Sequence, residues 1–203
     1  VMDTSMQTNK VDSRQIPQGR LGMWMLIVGE FVIFGGLIAV YLMYRFRYPE
    51  WAEMAAHTNT LLGGVNTVVL LTSSFFAVKA HESAVKRDYK NTKFWIYLTI
   101  ACAVAFLVIK GFEYSNEIHH GFTISGAEQV AQGNMIGSTY WGFYYLMTGI
   151  HGLHVIAGAI IFLTVIHQVN KKQNMHRVEM AGMYWHMVDI IWIFLFPLLY
   201  IAH

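Results

Sequence analysis

Five stretches of the chain carry apolar residues in almost unbroken runs, and the polar residues concentrate in the segments between them. Each run reaches the length of about 18 residues that an α-helix needs to cross the hydrocarbon core of a bilayer. The runs cover about 21–44, 61–80, 94–112, 140–169 and 180–202. The pattern predicts an all-α membrane protein in which residues 21–203 form one domain, a bundle of five transmembrane helices, after a polar tail at 1–20.

Composition supports this class. Of the 203 residues, 55% are hydrophobic and only 13% are charged, which is too apolar for an ordinary soluble domain. The formal net charge of +2 is small, and the basic residues lie in loops instead of in one block, so nucleic acid is not an expected partner.

The distribution of lysine and arginine predicts the orientation, because these residues are retained on the cytoplasmic side of a membrane. On one side of the predicted helices lie eleven: Lys10, Arg14, Arg20, Lys79, Lys86, Arg87, Lys90, Lys93, Lys171, Lys172 and Arg177. The other side carries two, Arg45 and Arg47. We therefore expect the N-terminus inside and the C-terminus outside.

Two further patterns concern packing. The long segment from Ser115 to Thr139 is rich in glycine and scattered polar residues, which is typical of a loop. Small and hydroxylated residues predict close helix contacts. They are Gly63, Gly64, Asn66, Thr67, Thr72, Ser73 and Ser74 in the second run, and the pairs Gly29 with Gly36 and Gly142 with Gly149.

Ionisable side chains inside the apolar runs are the main functional clue. One unpaired charge in hydrocarbon costs about 2.5–3.5 kcal/mol on insertion scales, so each must be sheltered or paired. The candidates for buried polar, lipid or subunit contacts are Glu30, Asn66, Lys110, Glu113, His151, His154, His186 and Asp189. Lys110 and Glu113 are three residues apart and can neutralise each other on one helix face.

The histidines allow more than one interpretation. His151 and His154 share a helix face, and with His186 across the bundle they could bind a metal or a haem iron. Hydrogen bonding between helices is the simpler alternative. Glu30 and Asp189 could relay protons with the histidines, but the outer halves of the first, fourth and fifth runs supply no ladder of carboxylates.

Several local strings resemble subunit III of the haem-copper respiratory oxidases. The first run contains the string that resembles the family's intramembrane glutamate segment, and other strings match in order along the chain. They are Leu21-Gly-Met-Trp-Met-Leu-Ile-Val-Gly-Glu30, Val65-Asn-Thr-Val-Val-Leu-Leu-Thr-Ser-Ser74, Lys110-Gly-Phe-Glu-Tyr114, Gly137-Ser-Thr-Tyr-Trp141, His151-Gly-Leu-His154 and Trp185-His-Met-Val-Asp189. Many members have seven helices, so the five here resemble the short bacterial form.

The resemblance implies a non-catalytic subunit of a proton-pumping terminal oxidase that reduces oxygen to water. In that family haem and copper belong to subunits I and II, so no catalytic, cofactor-binding or metal-binding residue is expected in this chain. The resemblance further implies packing against subunit I, support of proton uptake and stability, and neighbours that include subunit II, a candidate small subunit IV and membrane lipids, with phospholipid as a candidate ligand. The expected location is the bacterial inner membrane.

Two other functions remain open at the level of sequence. One is an accessory subunit of a nitric oxide reductase, whose short forms look similar. The other is an independent proton or ion carrier built around Glu30, His151 and Asp189. The electron donor of the complex, cytochrome c or quinol, would bind other subunits, so this sequence leaves it undetermined.

Overall fold

The structure is a computed structural model that describes residues 18–56, 58–123, 135–171 and 176–201, all helical or in turns and without strands. Most of the predicted tail and the centre of the predicted long loop lie outside these residues. The elements are α1 Gln18–Arg47, α2 Glu50–Ala56, α3 Thr60–Val85, α4 Tyr89–His119, α5 Met135–Asn170, α6 His176–Phe196 and a π-helical turn, Pro197–Ile201.

The predicted five-helix membrane fold is confirmed. Five helical segments of 26 to 35 residues are long and apolar enough to span a bilayer: α1, α3, α4, α5, and α6 together with the π-turn. They extend past the apolar runs because polar residues continue the helices beyond the hydrocarbon. The prediction of a loop over Ser115–Thr139 is wrong at both ends, since α4 continues to His119 and α5 begins at Met135.

Short turns join α2 to α3 and α3 to α4, and an acidic or amide side chain caps the helix that follows. Asn59 accepts a hydrogen bond from the backbone N–H of Leu62, and Asp88 accepts one from the N–H of Asn91 at 3.1 Å. The latter hydrogen bond lowers the pKa of Asp88 below its usual 3.8. Arg87, with a φ of 57°, supplies the left-handed residue of the turn between α3 and α4.

Helix α6 is the centre of the bundle. Over the most apolar 18-residue stretch of α6 and the π-turn, 56% of the residues are buried, against 17% over the corresponding stretch of α1. It contacts α3, α5 and α1, while α4 packs against α3 and α5. Helix α1 is therefore peripheral, and its apolar side chains largely face outward.

The C-terminal π-turn closes the end of the bundle that also carries α2, which we call the α2 end; the opposite end, with Asp88, is the Asp88 end. Pro197 has no N–H to continue the α-helical ladder, and the wider turn begins at this residue. Three carbonyls in the turn, those of Leu198, Leu199 and Tyr200, accept hydrogen bonds from the hydroxyls of Tyr41, Tyr140 and Thr60 respectively. Hydroxyls from three helices thereby anchor the chain's last described turn.

Glycine permits close approach at two positions. A Cβ added at Gly158 would lie 2.7 Å from Trp185, and one at Gly63 would lie 2.9 Å from Phe196 and Tyr200. Gly63 belongs to the predicted contact set of α3. At Gly29, Gly36, Gly142 and Gly149, by contrast, an added Cβ would meet no atom within 4 Å among the residues that the structure describes, so the predicted close contacts are absent there. These four lie on parts of α1 and α5 where the bundle leaves space.

We predict that Gly158→Ala destabilises the bundle by about 1–3 kcal/mol, because the new methyl overlaps the ring of Trp185. Gly149→Ala on the same helix is the matched control and should lie within about 1 kcal/mol of the parent, on the stabilising side. The measurement is the midpoint of SDS-induced unfolding of each purified protein. Equal midpoints for the two variants would contradict the packing of α5 against α6 described above.

Candidate functional site

A buried polar cluster lies near the α2 end, where α4, α5 and the π-turn meet. The ammonium of Lys110 donates hydrogen bonds to Glu113 Oε2 at 3.2 Å, to the Tyr144 hydroxyl at 3.1 Å and to the Tyr200 hydroxyl at 2.6 Å. Both phenols in turn donate to Glu113 Oε1 at 2.5 Å. The predicted neutralisation of Lys110 by Glu113 is present, and two tyrosines complete it.

The cluster satisfies its charges without water. An ammonium has three donors, and the three acceptors just described use all of them. The side chains of Lys110 and Glu113 are 6% and 1% exposed. Four aromatic rings also lie 4.9–5.6 Å from the ammonium and favour a cation there: Tyr114, Tyr144, Trp192 and Tyr200.

Glu117 extends the charged face of α4 and was missed from the sequence. It follows Lys110 and Glu113 at helical spacing and is 2% exposed. It lies in the segment predicted to be a loop, because the apolar run ends before it. The spacing of seven from Lys110 is the signal that could have identified it. The α2 end of the third span thus carries a ladder of ionisable groups.

Glu30 and His154 form a second pair, between α1 and α5. Glu30 Oε2 lies 3.0 Å from His154 Nε2, and His154 Nδ1 lies 2.8 Å from the carbonyl oxygen of Ile150. A carbonyl can only accept, so Nδ1 carries a proton. Glu30 Oε2 itself makes no hydrogen bond among the described residues, so the contact is defined by its distance alone. The pair therefore places a carboxyl group beside an imidazole, between α1 and α5.

The other two histidines have separate environments. The ring of His151 is fully buried, 5.5 Å from Phe106 and 4.9 Å from Trp192 between ring centroids. His186 Nδ1 lies 2.6 Å from the Ser74 hydroxyl on α3. The three histidines do not converge, so the ligand set considered from sequence is wrong. Among the residues that the structure describes, no three His, Cys, Asp or Glu side chains could hold a metal ion.

The hydroxyl groups of α3 connect it to α6. Trp192 donates its indole N–H to Thr67 at 3.0 Å, and Trp185 donates to Ser73 at 2.9 Å. Thr72, predicted on the same face, instead lies exposed and donates to its own helix backbone. Asn66 and Asp189 are buried, and neither side chain has a hydrogen-bond partner among the described residues.

These contacts define what the chain can do chemically. The buried charges of Lys110 and Glu113 are paired within the bundle, whereas Asp189 has no hydrogen-bond partner among the described residues. The Glu30–His154 contact involves the less buried α1. The arrangement supports association between helices.

Comparison with known proteins decides the family. The sequence model of the family described as "Cytochrome c oxidase subunit III" matches residues 4–203. The chain belongs to the cytochrome c oxidase subunit III family. It is therefore a subunit III of a haem-copper oxidase, a multi-pass membrane protein and a member of an oxidase complex.

Some relatives that match this chain are named as cytochrome c oxidase subunits, and others as quinol oxidase subunits. Cytochrome c oxidase subunit 3 of Thermostichus vulcanus is 32% identical, with 89% of this chain and 86% of the relative aligned. The protein of that name from Corynebacterium diphtheriae is also 32% identical, over 89% of this chain and 86% of its own length. A probable quinol oxidase subunit 3 from Staphylococcus saprophyticus is 27% identical over 97% of this chain and 96% of its own length. These findings do not support the nitric oxide reductase or independent carrier alternatives.

We predict strong coupling between Lys110 and Glu113. Lys110→Met leaves the carboxylate of Glu113 without its partner, and Glu113→Gln leaves the ammonium of Lys110 without its partner. Because each remaining charge is buried, each single variant should lose about 3–5 kcal/mol of unfolding free energy. The double variant should lose less than the sum of the two. The measurement is a double-mutant cycle of SDS unfolding midpoints, with the exposed pair Lys86 and Glu82 as the control cycle. Additive losses at Lys110 and Glu113 would contradict the pairing.

Proposed function

We propose that the chain is a non-catalytic subunit that packs against subunit I of a proton-pumping oxidase, holds no haem or copper itself, and supports proton uptake and the stability of the complex. The single observation that carries this proposal is the Glu30–His154 contact at 3.0 Å, which places a carboxyl group beside an imidazole inside an apolar span. Family membership supplies the oxidase context.

Exposure distinguishes this pair from the Lys110 cluster. The side chains of His154 and Glu30 are 18% and 19% exposed, whereas those of Lys110 and Glu113 are 6% and 1% exposed. The first pair is therefore accessible to whatever covers this side of the bundle, whereas the second is enclosed. We assign proton exchange to Glu30 and His154, and a structural role to Lys110 and Glu113.

The depth of Glu30 is compatible with proton uptake. We propose that the Asp88 end faces the cytoplasm of a bacterial cell and the α2 end faces outward, because the sequence assigns eleven lysines and arginines to the side of the α3–α4 turn and only two to the other side. Glu30 lies twelve residues into the 30-residue α1, about 18 Å along its axis. It is thus in the cytoplasmic half of the helix, the side from which protons are taken up.

The outward faces of the bundle supply surface for neighbours. Helix α1 exposes large apolar side chains, including Met25, Val32 and Met43, each at least 70% exposed. We propose that lipid, subunit I and the further subunits II and IV cover such faces of the chain. A groove at the Asp88 end, lined by Met23, Thr164 and Arg177 among others, combines a cation with apolar walls and suits a phospholipid.

Co-purification tests this proposal. The full chain, tagged and extracted in mild detergent, is expected to elute with haem-bearing subunits, while the separated chain should contain no iron or copper by elemental analysis. Omission of the tag is the control for unspecific elution. A separated chain that carries stoichiometric metal, or that moves protons alone in liposomes, would contradict a non-catalytic role.

We further predict that Glu30→Gln lowers oxygen consumption by less than about tenfold, under about 1.4 kcal/mol, because it removes the ionisable carboxyl group beside His154 and leaves the oxygen-reducing site intact. Haem content per complex should be unchanged. Glu179→Gln, at the partly exposed pair with Arg20 near the Asp88 end, is the matched control and should leave turnover at the parent value. Loss of haem in Glu30→Gln would overturn the assignment.

A further inference from the structure

Tyr144 and Tyr200 share an arrangement that the proposed function does not use. Each phenol donates its proton to the same carboxylate oxygen, Glu113 Oε1, at 2.5 Å. The hydroxyl oxygens lie 3.1 Å apart, and both rings are fully buried. Lys110 donates to the opposite carboxylate oxygen and to both phenol oxygens, so an ammonium faces the same carboxylate.

A buried phenol that donates a hydrogen bond to a carboxylate can lose one electron at a lower cost than a phenol without such a partner. Removing an electron from a buried tyrosine leaves a positive charge in a low-dielectric interior, which is costly unless the phenolic proton leaves at the same time. A carboxylate in contact with the hydroxyl accepts that proton. Tyr41 and Tyr140 lack this feature, because each donates to a peptide carbonyl, which is not a base near neutral pH.

We propose that Tyr144 and Tyr200, with Glu113 as proton acceptor, form a redox-active tyrosine pair that is connected by aromatic rings to the surface at the α2 end. The proposal rests on the geometry of the cluster and does not depend on the role assigned to Glu30. Its oxidant is a strong one-electron oxidant of the oxygen-radical class, and its reductant is a small one-electron donor at the surface.

The step balances in electrons and protons. The oxidant takes one electron from Tyr200, and the phenolic O–H bond breaks as its proton passes to Glu113 Oε1, leaving a neutral tyrosyl radical and a neutral carboxyl group. An electron supplied through Tyr144 then refills the radical, and the proton returns from Glu113 to the phenol. The net change is the transfer of one electron from the surface reductant to the oxidant.

The rings that connect the pair to the surface are in contact throughout. All of them are tyrosine or tryptophan, the side chains that a strong oxidant can oxidise reversibly. From the bundle centre the centroid distances are 6.3 Å for Trp192–Tyr200, 5.9 Å for Tyr200–Tyr144, 5.3 Å for Tyr144–Trp141, 5.5 Å for Trp141–Tyr140, 5.6 Å for Tyr140–Trp51 and 5.5 Å for Trp51–Tyr44. Tyr44 is 39% exposed, so the path opens to the outside of the bundle.

The test generates a one-electron oxidant at the exposed end of this path, beside Tyr44. The full chain, kept in the assembly in which it is extracted from the membrane, carries Met43→Cys beside Tyr44 and Cys102→Ala, and a ruthenium tris-bipyridine maleimide is attached at position 43. A flash with a sacrificial acceptor present produces Ru(III), and freeze-quenched electron paramagnetic resonance follows the tyrosyl radicals. Protein without Met43→Cys, treated in the same way, is the control for label elsewhere.

The expected result is a long-lived tyrosyl radical whose formation slows in deuterium oxide, since a proton moves with the electron. Tyr144→Phe combined with Tyr200→Phe should abolish this signal, and Glu113→Gln should abolish it with every ring still in place. Tyr145→Phe is the matched control, because this buried neighbour donates to the carbonyl of Phe122, and the signal should persist.

Two outcomes overturn the proposal, and one of them needs no variant in the cluster. The first is a tyrosyl radical, in the labelled protein with an unaltered cluster, that forms at the same rate in deuterium oxide as in water or that stays on Tyr44 and never reaches the interior. The second is an unchanged radical yield in Glu113→Gln. If a tyrosine variant fails to fold, the isotope effect in the parent protein still decides the question.

Discussion

The ammonium of Lys110 constrains the α2 end of this bundle more than any apolar contact there. A charge in a dry interior is tolerated only with complete compensation, and its partners come from its own helix, from α5 and from the C-terminal π-turn. The three elements therefore share one geometry: if one moves, a charge or a phenol loses its partner. Pro197 contributes to the same geometry, since the π-turn that begins there carries the Tyr200 hydroxyl in contact with the cluster.

Helix α1 is held in a different way. Its few anchors lie along one side: Arg20 contacts Glu179 near the Asp88 end, Glu30 contacts His154 near the middle, and Tyr41 bonds the π-turn at the α2 end. Most of its apolar surface faces outward. The Glu30–His154 pair thus involves the most weakly packed helix, where a neighbouring subunit or lipid can contact it, while Lys110 and Glu113 lie in the enclosed part of the bundle.

This division suits a subunit III of an oxidase. A member of a membrane complex needs a stable interior, which the paired Lys110 and Glu113 help to provide, and outward faces that neighbouring chains or lipid can cover. The aromatic residues around Lys110 serve the interior through cation–π contacts, and they also make continuous ring contact out to Tyr44. The same aromatic side chains thus pack around Lys110 and form the ring contacts that connect the interior to Tyr44.

The sequence by itself determined the number of spans, the family and the existence of the Lys110–Glu113 pair, because apolar run length, ordered motifs and i,i+3 spacing are local properties. It did not determine that His151 and His154 have different partners. Their side chains point about 60° apart around one helix. Only the packing of the helices decides that His154 meets α1 and His151 meets α4. Tertiary structure alone joined Tyr144 and Tyr200 to Glu113, residues up to 87 positions apart. Glu117 was misassigned because hydropathy marks where hydrocarbon ends, whereas backbone hydrogen bonding continues the helix beyond it.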